Sequence, residues 1–314
     1  MGKVAFIFPG QGSQHAGMGK EAYDVGARAR AVFAAADQAL GFPLSRLCFE
    51  GPEEELRLTE NTQPAVLVTS LALLSLVREK GQRPDYVAGH SLGEYTALVC
   101  AGALDLAEAA LLVRKRGRYM QEAVPAEQGA MAAILGLDAR AVAEICRAAS
   151  QSGTVAPANF NAPDQVVIAG RRAAVLAASE RAKAEGAKRV LPLGVSAPFH
   201  CELMAPARDR LAEDLRGVEF RDLQVPLVTN VDARELSRGD AVRDALIRQV
   251  VSPVRWVECV EFLVSAGVDR FVEIGPGKVL SGLVRRIAPG AEIRNVEGIR
   301  GIEALASMKP GVTM

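Results

Sequence analysis

Two rhythms of apolar residues alternate along the chain. Short runs, too brief for helices, predict strands at Val4–Phe8, Tyr86–Ala88, Ala130–Leu135, Val155–Asn159, Gln165–Ala169, Lys188–Leu193, Val225–Val231 and Arg270–Ile274. Between them, apolar side chains recur every three or four positions. That spacing predicts helices over Lys20–Leu40, Pro52–Leu58, Gln63–Lys80, Asp105–Glu122, Asp138–Ser150, Ala173–Glu185, Ala205–Leu215, Ala241–Val250 and Trp256–Ala266, with another running to Ile287 after Gly275-Pro276-Gly277. Strands that are short and apolar on both faces, alternating with helices, imply an α/β fold with a mostly parallel sheet covered on two sides. The texture changes between Pro125 and Pro198. There the order βαββαβ, over about 65 residues, is that of a ferredoxin-like unit. The expected division is a large domain of residues 1–125 and 198–314 with an inserted small α+β subdomain of residues 126–197.

Bulk composition narrows the function classes. The chain has 314 residues, 49% hydrophobic and 24% charged, with 37 Lys and Arg against 37 Asp and Glu. Such a balance provides no global field to attract nucleic acid or an anionic membrane. The longest apolar run, Ala65 to Val77, carries Thr69, Ser70 and Ser75 and is too short to span a bilayer. The five cysteines (Cys48, Cys100, Cys146, Cys201 and Cys259) lie far apart, with no metal-ligand or redox spacing. No signal-like segment precedes the first strand. Reduced thiols in a cytoplasmic protein are the expectation.

Chemistry concentrates at Asp85–Ala97. A strand, then Gly89-His90-Ser91-Leu92-Gly93, then the helical stretch from Glu94 form a nucleophile-elbow pattern. The turn is tight, and a Cβ at Gly89 or Gly93 would collide with its neighbours. Ser91 is thereby left in the open, and the positive end of the following helix suits a developing oxyanion. By chance G-x-S-x-G turns up about once in ten chains of this length, so the serine needs a base. Of the three histidines, His90 leaves the elbow in the wrong direction to serve Ser91, and His15 reads as solvated surface. His200, in Ser196-Ala197-Pro198-Phe199-His200-Cys201, is either that base or a structural histidine at the subdomain junction. The loop Pro9-Gly10-Gln11-Gly12-Ser13-Gln14 is no dinucleotide fingerprint, since His15 stands where the third glycine belongs. Arg116 lies at the edge of the buried stripe Leu106, Ala109, Ala110, Val113, Gly117 and Met120. A guanidinium there needs a carboxylate, supplied by the protein or by a substrate.

Seven blocks together resemble the malonyl-coenzyme A:acyl-carrier-protein transacylase family. They are Phe8–Gln14, Gly89–Tyr95, Arg116-Gly117 with Met120-Gln121, Asn159-Phe160-Asn161, Pro198–Cys201, Gln249 ahead of Pro253–Trp256, and Glu273–Gly277. The resemblance implies an α/β-hydrolase-like large domain carrying the ferredoxin-like subdomain. It assigns Ser91 as nucleophile and His200 as base, the Gln249 backbone carbonyl orienting the imidazole. The backbone N–H groups of Gln11 and Leu92 would form the oxyanion hole. Arg116 would hold the malonyl carboxylate, with Met120 and Phe199 as further substrate-binding residues. The bulk of Phe199 fits exclusion of branched extender units.

The reaction so implied is ping-pong transfer of malonyl from malonyl-CoA to an acyl carrier protein, supplying fatty-acid or polyketide synthesis. It needs no metal or other cofactor, and no nucleic acid or membrane partner. A serine hydrolase such as a thioesterase, and a non-catalytic carrier-docking module, are the rival readings. The hydrolase shares the serine and histidine but has no use for Arg116. The docking module predicts loss of Ser91, His200 or Arg116, and all three are present. Lys183, Lys188, Arg189, Arg285 and Arg286 are the expected basic rim for an acidic carrier.

Overall fold

A computed structural model describes residues 2–125, 127–195 and 197–306. Ala126, at the expected domain boundary, and Ser196, in the expected turn before His200, lie outside them. Strand β1 (Lys3–Phe8) is followed by α1 (Lys20–Val25) and α2 (Ala27–Leu40). The single helix expected over Lys20–Leu40 is thus two, broken at Gly26, whose extended backbone caps both. A helix not anticipated, α3 (Leu44–Glu50), buries Leu44, Leu47 and Cys48 at helical spacing. Next come α4 (Glu53–Leu56) and α5 (Thr59–Glu79). Helix α5 starts four residues ahead of the expected Gln63. Pro64 therefore stands inside the helix, where its missing N–H leaves the Glu60 carbonyl without a helical donor.

Strand β2 (Tyr86–Gly89) leads through the elbow to α6 (Gly93–Cys100) and then to α7 (Leu106–Glu122). The middle of the chain forms β3 (Gly129–Leu135), α8 (Ala139–Ala149), β4 (Val155–Ala162), β5 (Gln165–Arg171), α9 (Arg172–Ala184) and β6 (Arg189–Pro192). These four strands make a separate antiparallel sheet in the order β4-β5-β3-β6. Counted within the unit that order is 2-3-1-4, the ferredoxin-like arrangement. Its helices seal one face with a cluster of their own that includes Ile134, Val142, Ile145, Val166, Ile168 and Ala178.

The remainder is α10 (Ala205–Arg216), β7 (Leu227–Val228), β8 (Glu235–Leu236), α11 (Gly239–Gln249), α12 (Trp256–Ser265), β9 (Val268–Ile274), α13 (Val279–Ile287), β10 (Glu292–Val296) and α14 (Ile299–Ala306). The strand expected over Val225–Val231 shrinks to β7, because the chain turns away at Thr229 and returns as β8. Neither β8, β10 nor α14 was anticipated. The main sheet has the order β10-β9-β1-β2-β7-β8 and is parallel except for the β7–β8 pair. Strand β1 lies between β9 and β2, and its side chains alternate between two cores. Ala5 and Ile7 join Trp256 and Phe271 on one face, while Phe6 and Phe8 join the α2 and α5 side chains on the other. Both faces are therefore covered, as a parallel sheet requires.

One close approach fixes the helix that carries Arg116. A Cβ on Gly117 would lie 2.5 Å from the carbonyl oxygen of Thr59, so α7 can sit against the start of α5 only with glycine there. Gly117→Ala is expected to lower unfolding free energy by about 1–3 kcal/mol through overpacking, read from the urea midpoint. Gly290→Ala, where a Cβ meets nothing within 4 Å, is the control and should leave the midpoint in place.

Candidate active site

Strand β2 ends at Gly89 and α6 begins at Gly93, so only three residues make the turn between them. A Cβ on Gly89 would fall 1.9 Å from the Gly93 carbonyl carbon, and one on Gly93 would fall 2.1 Å from the Phe8 carbonyl oxygen. Both glycines are sterically required. Ser91 itself has φ of 52°, in the left-handed region that costs a non-glycine residue about 1–3 kcal/mol. Two amides hold it there. The Ser91 N–H donates to Asn230 Oδ1 at 2.7 Å, and its carbonyl accepts from Gln249 Nε2 at 3.1 Å. The side chain is left free to face the base.

That base is within reach. Ser91 Oγ and His200 Nε2 are 2.7 Å apart. On the far side of the ring, Nδ1 faces two carbonyl oxygens, of Gln249 at 3.1 Å and Ser252 at 3.2 Å. Only a protonated Nδ1 satisfies both, which leaves the lone pair on Nε2 toward the serine. Burial, and then the positive charge of Arg116, pull the His200 pKa from 6.5 down to about 3. The imidazole is therefore neutral and able to accept a proton. His90 instead places Nε2 2.8 Å from Asn161 Oδ1, and His15 is exposed.

Arg116 projects from α7 into the same place and is 2% exposed. Nη1 donates to Gln63 Oε1 at 2.9 Å, while Nη2 donates to Gln249 Oε1 at 2.9 Å and to Ser91 Oγ at 3.1 Å. Its Nε has no partner, and among the described residues no carboxylate forms an ion pair with it. Met120, one turn further on, is linked at one remove, its sulfur lying 3.8 Å from Gln63 Nε2. Phe199 is buried beside His200 and shares a core with Met120.

Loop 9–14 presses on the elbow from the other side. A Cβ on Gly10 would meet the His90 carbonyl oxygen at 2.4 Å, and Ser13 Oγ closes the loop by donating to the Gly10 carbonyl at 2.8 Å. The Gln11 side chain donates to Thr59 Oγ1 at 3.3 Å. The backbone N–H groups of Gln11 and Leu92 donate to no other group among the described residues.

The structure thus brings Ser91, His200, Arg116 and Gln249 into direct hydrogen-bond contact. It adds four residues that sequence reasoning gave no role: Gln63, Glu94, Asn161 and Asn230. It also adds the side chain of Gln249, for which only the backbone carbonyl was expected. Two of these had a signal in the sequence. Gln63 opens an apolar helical run and Asn230 stands inside an apolar strand pattern, and a buried amide in such a place needs polar partners.

Comparison with known proteins identifies the family. The family model described as "Acyl transferase domain" matches residues 5–313. The malonyl CoA-acyl carrier protein transacylase of Bacillus subtilis (strain 168) is 51% identical over 288 residues, covering 91% of each chain. The crystal structure of an acyl carrier protein S-malonyltransferase from Vibrio cholerae O1 superposes with a TM-score of 0.94 at 48% identity, covering 96% of this chain and 99% of that one. A malonyl-transacylase solved in complex with its holo type II PKS acyl-carrier protein superposes with a TM-score of 0.95 at 47% identity, covering 97% of this chain and 99% of that one. By sequence and fold alike, this chain belongs to the acyl transferase family, among the malonyl CoA-acyl carrier protein transacylases.

Proposed function

We propose that the chain transfers the malonyl group of malonyl-CoA to the phosphopantetheine thiol of an acyl carrier protein through an ester on Ser91. The observation that carries this is a buried guanidinium, without a carboxylate of its own, in contact with the nucleophile. His200 takes the Ser91 proton as Oγ attacks the thioester, and the Gln11 and Leu92 N–H groups receive the oxyanion. The thioester C–S bond breaks, the proton passes from His200 to the coenzyme A sulfur, and a malonyl-serine ester remains. The carrier thiol then gives its proton to His200 and attacks the ester; the ester C–O bond breaks and His200 passes the proton to Ser91 Oγ, restoring the enzyme. Arg116 holds the malonyl carboxylate throughout, with Met120 and Phe199 bounding the acyl group. Both half-reactions exchange one thiol ester for an oxygen ester or the reverse, with no change of oxidation state, so the scheme needs no redox cofactor, and it gives the oxyanion to backbone N–H groups rather than to a metal.

The same reading takes residues 126–197 as an inserted unit, supported by its separate sheet and core. It places the protein in the cytoplasm, supported by five buried, unpaired cysteines. No helix among the described residues is long and apolar enough to cross a membrane. Of the basic rim, Arg286 pairs with Asp164 and Lys183 with Glu180, which leaves Lys188, Arg189 and Arg285 as the surface for an acidic carrier.

Incubation with malonyl-CoA should add a malonyl mass to the Ser91 peptide, and Ser91→Ala should abolish it. A label elsewhere would overturn the assignment. His200→Ala should slow acylation by roughly 10²- to 10⁴-fold, the span for loss of a general base. A hydrolase would release malonate at a rate rivalling transfer to the carrier thiol; transfer is expected to dominate.

Arg116→Ala should separate malonyl transfer from serine acyl chemistry at large. Loss of one partner of a buried ion pair costs about 3–5 kcal/mol, so malonyl kcat/KM should fall by roughly 10²-fold or more. Acetyl transfer should hold or rise in the roomier, neutral pocket. A parallel fall of both donors would make Arg116 a structural residue.

The pH dependence follows from His200. Its folded pKa of about 3 lies below the ordinary 6.5, so the neutral base persists well into acid. Acylation kcat/KM, which reports the free enzyme, should stay flat from neutrality to about pH 5; an acid limb centred at 6.5 would contradict the buried, Arg116-opposed imidazole. The unfolded chain does take up this proton below pH 6.5. Stability contributed by the neutral histidine is therefore complete above that value and lost as pH falls from 6.5 towards 3.

A further inference from the structure

We infer that Glu94 is a positioning residue: its carboxylate sets the orientation of the Gln249 amide and, through it, the placement of Arg116 and Ser91. Glu94 lies on the first turn of α6 and is fully buried, and its carboxyl hydrogen-bonds Gln249 and Asn230 rather than Ser91 or His200. Its Oε2 accepts from Gln249 Nε2 at 2.5 Å and from the Asn230 backbone N–H at 3.3 Å. Those two residues are the ones that grip the Ser91 backbone, one at its carbonyl and one at its N–H. Asn230 is tied further by donating Nδ2 to the Gly89 carbonyl at 2.7 Å. Glu94 therefore stands behind both supports of a left-handed serine.

The amide of Gln249 has two faces, and chemistry decides between them. As it stands, Nε2 meets two acceptors, Glu94 Oε2 and the Ser91 carbonyl, while Oε1 meets a donor, Arg116 Nη2. Turned over, it would set an oxygen against two oxygens and an NH₂ against a guanidinium. All three contacts would be repulsive. Without Glu94 the first face loses one of its acceptors, and the amide is held much less firmly. The second Glu94 oxygen, Oε1, has no partner. Burial raises the carboxyl pKa to about 7. A proton gained near neutrality therefore sits on Oε1 and leaves Oε2 accepting, so the amide keeps one orientation in both states. Arg116, Asp232 and the Cys259 thiol also act on this carboxyl, and burial holds the thiol in its protonated form.

This inference rests on the transfer reaction proposed above, and the experiment separates the two. Glu94→Met keeps the length of the side chain and removes both oxygens; Glu94→Gln keeps an oxygen for both donors. Malonyl kcat/KM is expected to fall about 10- to 100-fold in the Met variant, with a smaller fall for acetyl, and to stay within about 3-fold of wild type in the Gln variant. In a Gln249→Met background the Glu94→Met change should add less than about 2-fold. A parallel loss for both donors, a Gln variant as weak as the Met variant, or additive effects would overturn the role. If the Met variant does not fold, the Gln249 side-chain amide resonance of wild type decides. It should shift with a midpoint near pH 7 and lose that shift in Glu94→Gln; a shift that survives Glu94→Gln overturns the role. A wild type that never malonylates Ser91 removes the reaction itself, whereas an active wild type matched by an unchanged Met variant removes only the inference.

Discussion

A positive charge buried without a direct ion-pair partner among the described residues governs the interior of this protein. Arg116 is out of water, and amide and hydroxyl oxygens of Gln63, Gln249 and Ser91 stand in for the lost hydration. Neutral dipoles stabilise such a charge less than a carboxylate does, so the site keeps a standing preference for an anion. The same charge adds to burial in holding the His200 imidazole neutral, which keeps it a proton acceptor. Selectivity rests on this charge, and base chemistry draws on it in part. An internal ion pair, the other reading open for Arg116 in the sequence, would have removed the first and weakened the second.

Keeping that charge in place depends on close backbone contacts. Helices α5 and α7 touch at Gly117, which lets Gln63 reach the guanidinium. The elbow touches β1 at Gly93, which puts Ser91 beside loop 9–14. Gln249 then joins everything at the end of α11. Its backbone carbonyl orients His200, its Oε1 meets Arg116, and its Nε2 meets Ser91 and Glu94. Few residues here have one task, and none of the contacts is local in sequence.

That non-locality explains what the sequence disclosed and what it withheld. The elbow was legible because its chemistry is local: glycines flank a serine, and sterics permit nothing larger. Strand β1 and the βαββαβ order were legible from apolar periodicity. Gln63 and Asn230 signalled only that they needed polar partners, not which ones, because an amide's partners depend on the approach of chain segments far away, which periodicity does not encode. The break at Gly26 and the shrunken β7 were lost for a related reason. Tertiary packing there overrides a continuous apolar pattern. Family resemblance pointed to the Gln249 carbonyl, yet its side chain, facing a carboxylate and a guanidinium at once, emerged only from the assembled fold.

Strand β1 has a bearing on how the molecule is made. It pairs with β2 about 80 residues on and with β9 more than 260 residues on, so its second edge stays bare until the last part of the chain arrives. The β3–β6 sheet closes within residues 129–192 and has no such wait. During synthesis the small sheet can therefore be complete while the central strand of the large one still exposes half of its hydrogen-bonding groups. Because the elbow hangs from β2 and loop 9–14 from β1, a chain cut before β9 would carry Ser91, His200 and Arg116 together yet lack the strand that holds their common floor.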